Sequence, residues 1–117
     1  MQGVDGITGD VFGLYELATD GTVLYSRPRA GEVLHEPTQV MVGRDFFREV
    51  ALFENKEDLR HHFRRFLHGD ESVNAFTFDC FYGADVVKAK IFMTRAYKTN
   101  DEHSGTVVIL DIRSAGQ

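Results

Sequence analysis

The sequence has one cysteine, two prolines and no tryptophan in 117 residues. A lone thiol, Cys80, excludes an internal disulfide and fits a reducing, cytoplasmic setting. It also excludes a cysteine-paired zinc site, and His61 and His62, adjacent on a helix, diverge too far to chelate one ion. No apolar run approaches the ~20 residues that cross a bilayer, so no membrane insertion is expected. The first six residues lack the basic and apolar parts of a signal peptide. Positive charge is scarce, with 13 Lys and Arg against 18 Asp and Glu and a net charge of -5. That balance speaks against a nucleic-acid partner, because phosphate contact needs a basic surface. No G-x-S-x-G elbow and no glycine-rich phosphate loop occurs.

What is present is apolar and aromatic. Hydrophobic residues make up 43% of the chain, with ten Phe and four Tyr. A chain of this length suits one domain with one core. Residues 1–10 read as a lead-in, 11–113 as the domain and 114–117 as a tail. Residues 11–17 read as a strand with Phe12 and Leu14 on one face. Thr19-Asp20-Gly21 is turn chemistry, and residues 22–26 return as a second strand. Residues 27–42, punctuated by Pro28, Gly31 and Pro37, suit short helical turns. Phe46, Phe47, Val50 and Phe53 then recur at helical spacing and should face inward.

The plainest helix is Lys56–His68. Asn55 is placed to cap it, Glu57 and Asp58 suit its first turn, and Gly69 suits a C′ stop. Leu59, Phe63, Phe66 and Leu67 form its apolar stripe. Arg60, His61, Arg64, Arg65 and His68 fall opposite. Residues 73–82 then alternate, with Phe76, Phe78 and Cys80 on one side. Residues 86–97 and 105–113 read as two more strands. The unbroken apolar run 107–110 points to a central position in the sheet. The expected fold is α+β: a five-stranded antiparallel sheet with the helices packed on one face.

That order of elements resembles a PAS domain. Phe12-Gly13-Leu14 with Asp20-Gly21-Thr22-Val23-Leu24 is similar to the opening PAS hairpin. Residues 40–51, VMVGRDFFREVA, resemble the V-I-G-K-x-F-F-x-D-V-A stretch of the photoactive yellow protein branch. Phe76-Thr77-Phe78-Asp79 and Val87-Lys88-Ala89-Lys90-Ile91 resemble its following two strands. The likeness spans roughly residues 11 to 113 and implies a sensory module, not an enzyme, that relays a conformational signal. It also implies a homodimer or a neighbouring signalling domain as partner. The branch's chromophore cysteine is replaced by Phe53, and Ser26 and Ala30 stand where its tyrosine and glutamate are expected. Phenylalanine forms no thioester, so that photochemistry is excluded. No Asn-Cys-Arg-Phe-Leu-Gln-like flavin segment occurs.

The expected pocket lining is Phe12, Leu14, Phe46, Phe47, Val50 and Phe53 from the first half of the chain. From the second half it is His62, Phe63, Phe66, Phe76, Phe78 and Cys80. These rings either wall a cleft for a small apolar ligand or fill the space as a solid core. His62, at the edge of the helical stripe, is either a haem ligand in a gas or redox sensor or a boundary residue with one nitrogen in water. Cys80 reads as a buried packing thiol, with no positioned base beside it. A small cone-shaped α+β enzyme has similar length, but such folds usually open on a long helix, and this chain opens on a hairpin. The outer sheet face, with Phe81 and Tyr97 exposed, is an expected interface.

Overall fold

A computed structural model describes residues 12–28, 41–99 and 104–115. The short helical turns expected within 27–42 lie largely outside them, as do Ala30, the lead-in and residues 116–117 of the tail. Five strands are formed: β1 Gly13–Ala18, β2 Val23–Pro28, β3 Val73–Tyr82, β4 Asp85–Thr99 and β5 Ser104–Ser114. They make one antiparallel sheet in the order β2-β1-β5-β4-β3. The apolar strand β5 is central, as its unbroken hydrophobic run demands.

The hairpin turn works because Gly21 adopts φ +95, and its carbonyl accepts from the Phe46 N–H at 2.9 Å. A Cβ at Gly21 would stand 3.3 Å from the Phe47 ring, so the absent side chain also permits close approach. Among the described residues between β2 and β3 lie a π-helical turn, Phe46–Val50, and an α-helix, α1 Lys56–His68. Asp45 starts the turn by accepting from the N–H groups of Phe47 (2.9 Å) and Arg48 (3.1 Å). Glu49 returns a carboxylate to the Asp45 N–H, a reciprocal cap. The turn closes with the Ala51 N–H on the Phe46 carbonyl.

Helix α1 has the bounds expected from its sequence, but both ends are held differently. Asn55 makes no side-chain cap bond to the helix. Its Nδ2 instead donates to the Asp79 carbonyl (2.8 Å), and its Oδ1 accepts from the Phe81 N–H (3.1 Å). The amide thus substitutes for a neighbouring strand along the edge of β3. Gly69 sits at φ -96, extended rather than left-handed, so it is not a C′ glycine. The guanidinium of Arg95 from β4 serves that end of the helix.

Alternation along β1 places Tyr15 and Leu17 in the core, each at most 2% exposed. Leu14 falls in the opposite row, across from Asp111, so the inward placement expected of it is corrected. Phe12 does reach the core, from just before the strand. Tyr97 shares the row of Met93 and Arg95 on the helix side and is 71% exposed. It does not belong to the outer face; Phe81 does. Asp111 has its side chain only 14% exposed under Arg113, which donates to it at 2.9 Å.

Candidate functional site

The layer between sheet and helices combines aliphatic residues such as Leu17, Leu59, Ile91 and Leu110 with a chain of ring contacts. Tyr15 meets Phe46 edge-on at 4.8 Å between centroids, Phe46 meets Phe47 at 5.1 Å, and Phe47 meets Phe63 at 5.1 Å. Phe53 packs on Phe78 at 5.8 Å and on Tyr82 at 6.1 Å. Edge-to-face contacts of this kind add stabilisation beyond the area they bury. Of the expected lining, Phe12, Phe46, Phe47, Phe53, Phe63, Phe66, Phe78 and Cys80 are buried in this cluster. Val50 and Phe76 pack against it half-buried. Leu14 is not part of it. Ser26 is the buried polar residue among those described, and its hydroxyl donates to the Met41 sulfur at 3.6 Å.

His62 faces away from this interior. Its ring lies flat on Phe76, 4.3 Å away with 15° between planes, and meets Phe78 edge-on. It opens on a cleft of about 200 Å³ shared with Arg65, Phe66, Glu71 and Asn74. Burial, then the neighbouring Arg65 and His61, hold its pKa below the ordinary 6.5. A haem ligand must aim a ring nitrogen into a pocket wide enough for a porphyrin. This cleft is smaller than the ~300–1,000 Å³ of ordinary ligand pockets and is walled by polar groups, so haem does not fit beside His62. Among the described residues no group of three or more His, Cys, Asp or Glu could hold a metal ion.

Cys80 is 1% exposed, and burial followed by the charge of Asp79 pushes its thiol up to about 12. A thiol so disfavoured as thiolate is a poor nucleophile. The group that sequence reasoning missed is Arg95. Its guanidinium donates to the carbonyls of Phe66 (2.6 Å), Leu67 (3.2 Å), Gly69 (3.1 Å) and Glu71 (2.9 Å). It also lies 4.9 Å over the Phe66 ring. One cation thereby closes the negative end of α1 and ties it to the sheet. The signal was in the sequence, since Arg95 stands in phase with the inward row Ala89, Ile91 and Met93.

The helical layer is therefore clasped at both ends, by Asn55 on β3 and by Arg95 on β4. Between the clasps it rests on aromatic contacts. This arrangement of sheet, π-turn and helix recurs in solved structures. The chain has the PAS fold. The photoactive yellow protein domain of the sensor histidine kinase Ppr from Rhodospirillum centenum superposes with a TM-score of 0.61, at 18% identity over 92% of this chain and 96% of that one. The Drosophila melanogaster Cycle PAS-B domain with bound ethylene glycol gives 0.55, at 16% identity over 88% and 99%. The PAS domain of an HTR-like protein from Haloarcula marismortui gives 0.52, at 15% identity over 97% and 90%. No protein-family model and no curated protein sequence matches the chain. The likeness to these structures is thus one of PAS architecture at low identity. No helix among the described residues is long and apolar enough to cross a membrane.

Proposed function

We propose that this PAS domain is a sensory and signalling module, not an enzyme, in which the helical layer shifts on the sheet when a ligand or partner is bound. The observation that carries this reading is the pair of end clasps around a non-directional aromatic interlayer. Ring contacts tolerate small slides, whereas the Asn55 and Arg95 hydrogen bonds have defined geometry. A layer so held has discrete positions, and a ligand shifts it only by binding one position better. The ligand proposed is small and apolar, entering among Phe12, Phe46, Phe47, Phe53, Phe63 and Phe78, because that region has little polar chemistry to recognise anything else. Cys80 and Phe66 sit at the margin of the same layer, with Val50 and Phe76 half-buried beside it. The proposed assembly is a homodimer through the outer sheet face, where Tyr25, Val73 and Phe81 are each more than 40% exposed. Among the described residues, the interlayer thiol Cys80 is held protonated and His62 faces outward, which supports a non-catalytic reading.

Native mass spectrometry of freshly purified protein, followed by amide hydrogen exchange with and without the species found, tests the reading. A bound apolar molecule or a dimer, with altered protection in α1 on its removal, is the expected result. A bare monomer whose α1 protection is indifferent to an added apolar probe such as anilinonaphthalene sulfonate would sink it.

A further inference from the structure

The side of α1 opposite His62 carries a second groove, of about 330 Å³, which the interior reading does not use. One wall is the hairpin turn at Thr19 and Asp20. The other is the helix, through Arg60, Arg64 and His68. These three residues follow at four-residue intervals, so they rise along one face about 6 Å apart. The floor is apolar, with half-buried Leu67 above the edges of Phe47 and Phe63. The turn wall is rigid. Its backbone is tied by Gly21 N–H to Ala18 (2.9 Å), Ala18 N–H to Thr22 (2.9 Å) and Phe46 N–H to Gly21 (2.9 Å).

Charge is the unusual feature. The chain as a whole is acidic, at -5, yet this wall is cationic. Arg60 reaches Glu57 at 3.5 Å, an exposed pair of little strength. Arg64 forms no ion pair with a described carboxylate. The carbonyls at the helix C-terminus, which would ordinarily offset nearby positive charge for an incoming anion, are already taken by Arg95. An extended peptide places alternate side chains ~6.6–6.8 Å apart, close to the spacing of the three basic residues.

We propose that this groove docks an acidic segment of a partner protein, with alternate carboxylates on Arg60, Arg64 and His68 and an apolar side chain over Leu67. The groove is half open to solvent, so it suits a chain laid against it better than a small enclosed molecule. Asp20, on the facing rim, opposes such a segment and limits its affinity. A solid interior would leave the groove unchanged, so this docking does not depend on an interior ligand.

The test is fluorescence polarisation with a fluorescein-labelled peptide in which Glu alternates with Gly around one central Leu. Saturable binding is expected, weakened on raising salt from about 50 to about 300 mM. Arg64→Glu, at an exposed position that leaves the core alone, should weaken it about tenfold or more. Asp20→Asn should tighten it, and Lys90→Glu, on the outer sheet face, should leave it within about twofold. No saturable binding, equal binding of a Lys-for-Glu peptide, or equal loss in Lys90→Glu overturns the proposal. So does Arg64-dependent binding to phosphatidylserine vesicles without peptide binding, which would assign the patch to a lipid surface.

Discussion

Replacing Arg95 by methionine removes four carbonyl partners at once while keeping an apolar stem over Phe66. Each charge-assisted bond to a buried acceptor is worth roughly 1.5–3 kcal/mol when measured alone. The bonds share one guanidinium, so they do not add. Those to Gly69 and Glu71 are exposed and water replaces them easily. The bonds to the Phe66 and Leu67 carbonyls are partly buried and are lost outright. Loss of the cation at the helix C-terminus costs up to about a further 1 kcal/mol. The net expectation for Arg95→Met is about 3 kcal/mol, a substantial part of the ~5–15 kcal/mol that holds a domain. For a domain near this size it lowers Tm by on the order of 10 °C. Arg95→Lys keeps the charge but not the fork and should lose about half as much. Urea unfolding reads the free energies, and amide exchange localises the loss to residues 66–72. Arg95→Met within about 0.5 kcal/mol of the parent would refute the clasp. So would a loss of equal size with exchange unchanged at the end of α1.

Phe53→Ala empties a site that is 1% exposed and breaks the contacts with Phe78 and Tyr82. It should cost about 3–5 kcal/mol in urea unfolding, and a cost under about 1 kcal/mol would mean the neighbours collapse into the space. His62 binds a proton less readily folded than unfolded, so its contribution is complete above the unfolded value near 6.5 and declines as pH falls through the lower folded value. His62→Gln should therefore flatten stability between neutral and mildly acidic pH, and an unchanged slope by thermal unfolding would show that the burial of His62 beside Arg65 is not its source. Cys80, with its thiol pushed up to about 12, should resist a thiol-reactive disulfide reagent at neutral pH until the protein unfolds. Prompt labelling of the native protein would show the site to be open.

Several features were legible before any coordinates because they depend on local periodicity. The alternation Phe76, Phe78, Cys80 needs only the two-residue repeat of a strand. The stripe Leu59, Phe63, Phe66 needs only the helical repeat. The bounds of α1 and β3 follow from the same patterns, and the residues shared with the photoactive yellow protein branch ordered the elements into a PAS domain. Other features were illegible for a common reason. Leu14 and Tyr15 are both apolar in a short strand, so the sequence alone allowed either phase. The partner strand β5 decided between them. Asn55 looked like a cap because caps are local, yet the edge of β3, two dozen residues away, offered its amide two partners at once. Arg95 stood in phase with the inward row of β4, but the carbonyls it meets lie two dozen residues or more away, at the end of α1 and just beyond it.

The amino-acid order by itself determined which segments could be strands or helix and that one sheet had to bury an aromatic face under α1. Those outcomes rest on side-chain period and volume, which belong to each residue wherever it lies. Only the tertiary structure decided how the helix is fastened, which way His62 looks, and that Arg60, Arg64 and His68 form one wall of a groove whose other wall is the first hairpin. Those depend on hydrogen bonds and surfaces between segments far apart in sequence. Such contacts exist only once the chain has closed, and no local pattern encodes their geometry.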